Sequence, residues 1–164
     1  MEERYRATDE ATILAAARAL MFADENVALV TIDSTGQPRV RTVRAFPAEV
    51  DSADPARGMT VWIMTRRSTR MIEQIRHHPK VTLYFNDDAA LSYLTIMGEA
   101  FLHADPENEE AKRFYDDEYA AFFWPDIKKD FVMIQVKPRW IEFMGPDVPN
   151  HPENWRPQFV EFYP

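Results

Sequence analysis

Two adjacent segments, VALVTID (residues 27–33) and PRVRTVRAF (residues 38–46), predict antiparallel strands joined by a short turn. The first is apolar and β-branched, which is typical of a buried strand. The second alternates between one face with Arg39, Arg41, Val43 and Ala45 and another with Val40, Thr42, Arg44 and Phe46. Gly36 between them can adopt the positive φ of a tight turn. A hairpin of this kind favours an antiparallel sheet.

The other segments continue this pattern and contain few helices. Strands are expected over residues 59–65, 81–85, 92–103, 131–136 and 139–144, the last two separated by Pro138. Helices are expected from Thr8 or Asp9, over residues 69–77 before Pro79, and from Asp105 onward. Gly98 indicates a bulge or a close backbone approach within its strand. Because hairpins dominate and no regular βαβ alternation appears, the sequence predicts a mainly β (α+β) fold, a closed or split β-barrel with peripheral helices.

The 164 residues fit one domain over residues 1–164, with an N-terminal helix within residues 1–24 and a proline-rich, extended tail over residues 145–164. No apolar run is long enough to cross a bilayer, and the N-terminus MEERYRATDE is too polar for a secretory signal. The sequence has no cysteine, which excludes disulfides, thiolate metal ligands and a cysteine nucleophile. We therefore expect a cytoplasmic protein that does not interact with membranes.

The charge distribution favours a small anionic ligand. A net charge of −8 argues against nucleic-acid binding, which requires a basic surface. Within this acidic chain, residues 38–77 contain seven arginines: Arg39, Arg41, Arg44, Arg66, Arg67, Arg70 and Arg76. Each arginine taken alone is better explained by a surface ion pair.

The sequence does not support metal or hydrolytic chemistry. His77 and His78 are adjacent while His103 and His151 stand alone, so no pair has metal-ligand spacing and we predict no metal site. There is no Gly-x-Ser-x-Gly motif, and four glycines leave little room for a phosphate loop or a dinucleotide fingerprint. No side chain is assigned as a catalytic residue.

A strand-to-helix turn, TVWIMTRRSTRMIEQI (residues 60–75), offers a place for an anion. A helix N-terminus carries unpaired N–H groups and partial positive charge, and here Thr65, Ser68, Thr69 and Arg70 add further donors. Arg41 can reach the same place if its strand neighbours residues 60–65. These residues predict a phosphate site. A Ser/Thr helix cap with solvated arginines explains the spacing equally well.

At these residues the chain resembles the pyridoxamine 5'-phosphate oxidase-like, FMN-binding split-barrel superfamily, in its general stress protein branch. The similarity covers residues 28–144 and rests on the segments GQPRVRTV, WIMTRRSTRMIEQIRHHPKVTLYF, LTIMGEA and FWPDIKKDFVMIQVKPRWIEFM, in this order. It implies an antiparallel, six- to seven-stranded split β-barrel that holds FMN at a homodimer interface. FAD or a deazaflavin is disfavoured.

The resemblance also implies roles for individual residues. Arg41, Ser68 and Arg70 would hold the phosphate, and Arg67 is expected to be solvated. Residues Arg41, Thr42 and Val43 would lie along the isoalloxazine edge and contact it through the backbone, and Met64 and Thr65 would border the ribityl chain and ring. The partner protomer would contribute aromatic side chains from the Trp124 or Trp140 region.

The chain departs from the true oxidases at positions that they use for substrate. Phe46 stands in place of a lysine for the substrate phosphate, Met71 in place of a second basic residue, and Tyr93 in place of a glutamine that meets the flavin. The tail NWRPQFVEFYP lacks the histidine of their C-terminal Arg-x-His motif. Arg44 shares a strand face with Phe46 and can compensate in part. The candidate substrate pocket therefore comprises Arg44, Phe46, Tyr93, Trp124 and Trp140.

These observations predict a flavin-dependent oxidoreductase with an unidentified substrate and redox partner. The first alternative is a non-enzymatic protein that sequesters or senses flavin. The second is a true pyridoxamine 5'-phosphate oxidase, which the substitutions above argue against. A third is a barrel that binds a deazaflavin, haem or no cofactor.

Overall fold

The computed structural model describes residues 8–49, 53–105, 109 and 127–163. In this part of the chain the elements are α1 (Glu10–Ala23), β1 (Asn26–Ile32), β2 (Pro38–Arg44), β3 (Phe46–Pro47), α2 (Pro55–Gly58), β4 (Val61–Arg66), α3 (Arg70–His77), β5 (Lys80–Asp87), β6 (Ser92–His103), α4 (Ile127–Asp130), β7 (Phe131–Met144) and β8 (Gln158–Glu161). The helix predicted after Asp105, and Trp124, lie outside the described residues. Among the helices described, none is both long and apolar enough to span a membrane.

All eight strands belong to one antiparallel sheet. Its order is β2-β1-β5-β6-β7-β4-β3, and β8 pairs with β7. β2 pairs with β1 at one end of the sheet, and the chain then passes through Ala45 into β3, which pairs with β4 at the other end. One short segment therefore connects both ends and curls the sheet into a half-barrel. The predicted split barrel is confirmed.

The inner face of the curled sheet forms the core. The alternation predicted for β2 is confirmed, because Val43 and Ala45 are buried and the face with Arg41 points inward. α1 begins at the predicted cap, where the backbone N–H of Thr12 donates to Asp9 Oδ1 at 3.0 Å. Its apolar face packs against β5 to β8 through the four residues Ile13, Ala17, Leu20 and Met21. Gly36 has the predicted positive φ, +83°.

Pro138 does not divide the last part of the sheet into two strands. β7 continues through it, and the register with β6 shifts between Met97 and Gly98, so that Gly98 lies opposite Pro138. A Cβ at Gly98 would collide with the backbone carbonyl of Lys137. The predicted irregularity at Gly98 is confirmed as a close backbone approach beside a register shift that skips Arg139 of β7, and this interruption of the ladder accommodates the proline.

Three local predictions differ from the structure. The loop before β4 contains the one-turn helix α2, capped by Asp54, and Met59 ends that helix rather than beginning the strand. The tail was expected to wrap the surface in extended form, but it includes a strand of the sheet, because β8 pairs with β7 and buries Val160. The strand of Arg41 does not pair with residues 60–65 as chain order suggests, since β2 pairs with β1 and only its continuation β3 pairs with β4.

Candidate functional site

A cavity of about 620 Å³ lies between β2, the end of β1 and α3. This volume is typical of sites for small molecules. The cavity is lined by Asp33, Ser34, Arg39, Val40, Arg41, Thr69, Arg70, Met71, Glu73, Gln74 and His77. The hairpin and the strand-to-helix turn singled out in the sequence therefore face one another across a single space.

Arg41 is held in this cavity by neutral oxygen atoms. Its Nη1 donates to Thr31 Oγ1 at 2.6 Å and to the Leu29 carbonyl at 3.4 Å, and its Nη2 donates to Gln74 Oε1 at 2.8 Å. Thr31 Oγ1 in turn donates to Gln74 Oε1 at 2.6 Å. Thr31 is buried on β1 and Gln74 lies on α3, so these contacts fix the orientation of the guanidinium without neutralising its charge.

The electrostatics of the cavity favour an anion beside Arg41. Burial lowers the pKa of Arg41, and the positive charge of Arg70 lowers it further. Asp33, also in the lining, is paired with Arg39 at 2.7 Å. Hydrogen bonds from the Thr35 hydroxyl and then from Arg39 hold the pKa of Asp33 well below its usual range. Glu73 in the first turn of α3 is the remaining acidic side chain in the lining.

The N-terminus of α3 adds backbone donors to this site. Thr69 is the N-cap, but its side chain makes no capping hydrogen bond. Its hydroxyl donates to the Arg66 carbonyl at 3.0 Å and lies 3.4 Å from Thr65 Oγ1. The first N–H groups of the helix are therefore not satisfied by a side-chain cap, which suits an anionic ligand.

The other predicted flavin residues are not among those that line this cavity. Ser68 is exposed on the turn, while Met64 is half-buried and Thr65 is buried on β4. On β2, Thr42 is exposed and Val43 is buried. β2 ends the path of paired strands, so within the described residues the backbone groups on its outer edge do not pair in the ladder.

The match to a family model decides which family this chain belongs to. The model described as pyridoxamine 5'-phosphate oxidase matches residues 13–145, which is most of the chain. The chain belongs to the pyridoxamine 5'-phosphate oxidase family. No curated protein sequence matches it significantly.

Solved structures with the same fold include several members of this family. A Clostridium acetobutylicum protein related to general stress protein 26 of B. subtilis has a TM-score of 0.70 at 18% identity, over 94% of this chain and 97% of that one. A pyridoxamine 5'-phosphate oxidase-related, FMN binding protein from Nostoc punctiforme has a TM-score of 0.60 at 13% identity, over 94% and 95%. A heme binding protein from Mycobacterium smegmatis has a TM-score of 0.61 at 17% identity, over 85% and 56%. At these identities the similarity establishes the fold alone.

The candidate substrate residues of this family member are not gathered in the cavity. Arg44 lies on the opposite face of β2 from Arg41, pairs with Glu25 at 3.1 Å, and stacks over the Phe46 ring at 5.2 Å. The predicted shared face of Arg44 and Phe46 is confirmed. Tyr93 and Trp140 lie on the outer face of the sheet.

On that outer face, aromatic side chains contact one another across neighbouring strands. Tyr93 stacks on Tyr84 with ring centres 6.0 Å apart, and burial followed by the charge of Glu142 raises the pKa of Tyr93. Trp140 stacks on Phe159 at 4.2 Å and donates from Nε1 to Glu142 at 3.2 Å. We use the name outer aromatic face for Tyr84, Tyr93, Phe101, Trp140 and Phe159.

Sequence reasoning missed Thr31 and Gln74, which orient Arg41. Gln74 follows Arg70 by four residues, so helical spacing alone places both on one face of α3. Thr31 lies within a continuous apolar strand, where no local signal distinguishes it.

Arg67 is exposed as expected, but its backbone N–H donates to the Asp130 carbonyl at 2.7 Å and its Nε to the Lys129 carbonyl at 3.0 Å. It therefore connects the turn to α4.

Proposed function

We propose that this chain binds FMN, with the phosphate between Arg41 and Arg70, and uses it in a redox reaction of a small molecule. The observation that carries the proposal is that two guanidiniums face one cavity and that the hydrogen bonds of Arg41 go to neutral oxygens. A phosphate would relieve their mutual repulsion and form charge-assisted hydrogen bonds. Family membership and the FMN-binding structural neighbour support a flavin as the ligand.

The residues of this chain would bind and orient the cofactor. Thr31 and Gln74 hold the Arg41 guanidinium ready for the phosphate, which reduces the entropy lost on binding. Val40 and Met71 add apolar surface to the same lining, which suits a ligand with both a phosphate and a ring system. The outer edge of β2 offers backbone groups to the edge of the ring. When bound, the flavin supplies the hydride and electron chemistry.

The visible spectrum provides the first test. We expect the purified protein, or the protein mixed with FMN, to show absorbance bands near ~450 and ~370 nm, as the flavin cofactor class implies. Riboflavin, which lacks the phosphate, should bind about tenfold or more weakly because it cannot use Arg41 and Arg70. A protein that binds neither flavin would contradict the proposal, and a haem spectrum instead would favour the haem alternative.

Reduction of the bound flavin separates an enzyme from a flavin carrier. An oxidoreductase is expected to accept electrons from a nicotinamide donor under anaerobic conditions and to be reoxidised over repeated cycles. A protein that binds FMN tightly while every candidate donor leaves it oxidised would support sequestration.

The positioning role of Gln74 gives a sharper prediction. Gln74→Glu is expected to weaken FMN binding about tenfold, because a carboxylate would then lie within hydrogen-bond distance of Arg41 and cancel its charge. Riboflavin affinity should stay within about twofold, since no phosphate is involved. Gln37→Glu in the exposed β1–β2 turn is the matched control. Equal losses for FMN and riboflavin in fluorescence titrations would instead indicate a general structural effect.

We also expect a homodimer with twice the 19.2 kDa mass of the chain. The outer aromatic face supports this, because Tyr84, Phe101 and Phe159 are 41%, 41% and 53% exposed, and aromatic side chains are enriched in interfaces. Tyr84→Glu should raise the dimer dissociation constant at least about tenfold, since it would bury an unpaired charge. Phe22→Glu, at an exposed position on α1, is the control. Light scattering that finds a monomer with full flavin affinity would contradict the expectation.

A further inference from the structure

The cavity that holds Arg41 extends beyond the residues that we assign to the FMN phosphate. Arg70 lines it where α3 begins, and His77 lines it at the other end of the same helix. The helix rises about 10 Å between these two residues. A single phosphate between Arg41 and Arg70 would therefore occupy only one end of the cavity.

The rest of the cavity lies on the side of the phosphate site away from the expected ring position. The flavin ring is expected beside residues 41–43, whereas Ser34 and Arg39 lie toward the β1–β2 turn. Arg39 precedes Arg41 by two residues on the same face of β2, so their Cα atoms are about 7 Å apart. We use the name far subsite for the part of the cavity lined by Ser34, Arg39, Glu73 and His77.

Arg39 offers unused hydrogen-bond donors in the far subsite. Its Nε donates to Asp33 Oδ2 at 2.7 Å, and its two terminal nitrogens make no hydrogen bond to the residues that the structure describes. Asp33 is itself fixed, because its Oδ1 accepts from the backbone N–H groups of Thr35 and Gln37 at 2.9 and 3.0 Å. The carboxylate therefore holds the guanidinium in place and leaves its outer donors for an anionic group.

Glu73 gives the far subsite a hydrogen-bond acceptor. Its side chain is exposed in the lining and forms neither an ion pair nor a hydrogen bond within the described part of the chain. A carboxylate one helical turn from Arg70 would repel a phosphate dianion. It can accept from sugar hydroxyls, as acidic residues do for the ribose in dinucleotide-binding folds. The far subsite therefore combines donors for a phosphate with an acceptor for a sugar.

We propose that the far subsite binds the adenosine phosphate half of FAD, so that the cavity accepts this dinucleotide as well as FMN. The second phosphate would bind Arg39 and the Ser34 hydroxyl, and Glu73 would accept from the ribose. Each phosphate of FAD carries one negative charge, which suits Arg39 because Asp33 already offsets part of its charge. The proposal rests on the FMN site proposed above and extends it to a ligand that the sequence resemblance disfavours.

Calorimetric titrations of the full chain with FMN and with FAD test the proposal. We expect FAD to bind at least as tightly as FMN. Arg39→Ala should weaken FAD binding about tenfold, since a charge-assisted hydrogen bond is lost, and leave FMN binding within about twofold. Arg139→Ala is the matched control, because this arginine is also exposed and paired with a carboxylate, Glu99 at 3.2 Å, but lies outside the cavity.

Glu73→Ala should affect the two ligands differently. Loss of the acceptor is expected to weaken FAD binding about threefold or more. Loss of a carboxylate near the phosphate should leave FMN binding unchanged or make it tighter. The phosphorus NMR spectrum of bound FAD gives an independent readout, because Arg39→Ala should shift the resonance of the adenosine-side phosphate more than that of the ring-side phosphate.

FAD binding about tenfold weaker than FMN binding would overturn the proposal. Equal effects of Arg39→Ala and Arg139→Ala on FAD would also overturn it, since the adenosine half would then lie in solvent. Binding of AMP beside FMN, with FAD excluded, would assign the far subsite to a separate nucleotide instead. In each of these cases FMN still binds and its assignment stands, whereas a protein that binds neither flavin would contradict both proposals.

Discussion

Arg70→Ala is expected to weaken FMN binding by roughly ten- to a hundredfold, whereas Arg76→Ala should leave it within about twofold. Arg70 begins α3 and lines the cavity with Arg41, and the loss of a charge-assisted hydrogen bond costs about 1.5–3 kcal/mol. Arg76 lies exposed in the same helix and outside the lining, so it controls for net charge. Flavin fluorescence titrations at one fixed ionic strength measure the difference.

Comparing Arg67→Ala with Arg70→Ala tests which of the two arginines in the strand-to-helix turn contacts the FMN phosphate. Arg70→Ala should weaken FMN binding more, because Arg67 lies outside the lining. Arg67→Ala is not a neutral substitution, however, since it removes the hydrogen bond to the Lys129 carbonyl and is expected to lower the melting temperature. Titration with riboflavin should distinguish the loss of a phosphate contact from a structural effect, because Arg70→Ala would hardly change the affinity for riboflavin. Equal losses of FMN affinity for Arg67→Ala and Arg70→Ala would refute this placement.

The FMN-loaded protein is expected to oxidise pyridoxamine or pyridoxine 5'-phosphate at least about a hundredfold more slowly than an ordinary enzyme rate of about 1 per second. The substrate phosphate is a dianion, and a partly desolvated anion without a cationic partner is costly. The resemblance to the oxidases implies that Phe46 replaces a lysine and Met71 a second basic residue, so this chain is expected to lack cations for the substrate phosphate.

Arg44 is the side chain best placed to compensate, and its contacts argue against that role. It pairs with Glu25 at 3.1 Å and lies over the Phe46 ring, on the face of β2 opposite Arg41. Oxygen-dependent formation of pyridoxal 5'-phosphate measures the activity, with free FMN and the flavin-free protein as controls. Turnover near 1 per second would show that the chain is an ordinary oxidase of this family.

Several elements could be predicted because their causes are local. The alternation of β2, the positive φ of Gly36 and the cap at Asp9 depend on a few consecutive residues, and each agrees with the structure. The irregularity at Gly98 was predictable for the same reason. The continuity of β7 through Pro138 was not, because it depends on how β7 pairs with β6 around Gly98, forty residues earlier in the sequence.

The candidate site also contains features that local sequence patterns predict and features that depend on distant residues. The strand-to-helix turn and its arginines predicted a place for an anion, and the alternation of β2 predicted that Arg41 shares a face with Val43 and Ala45. Helical spacing could also have found Gln74, four residues after Arg70. No local pattern could show that Thr31 donates to Gln74 and accepts from Arg41, since these three residues lie on different elements.

By itself the sequence determined the periodicity of each strand and helix, and therefore which side chains share a face. Only the tertiary structure decided which faces meet. β2 pairs with β1 and leads into β3, which pairs with β4, so the sheet curls while α3 packs against β1 and brings Gln74 to Arg41. The same pairing leaves Tyr93 and Trp140 on the outer face, away from that cavity. Strand pairing joins residues that are distant in the chain, and it is set by how the whole sheet buries its apolar face rather than by any local pattern.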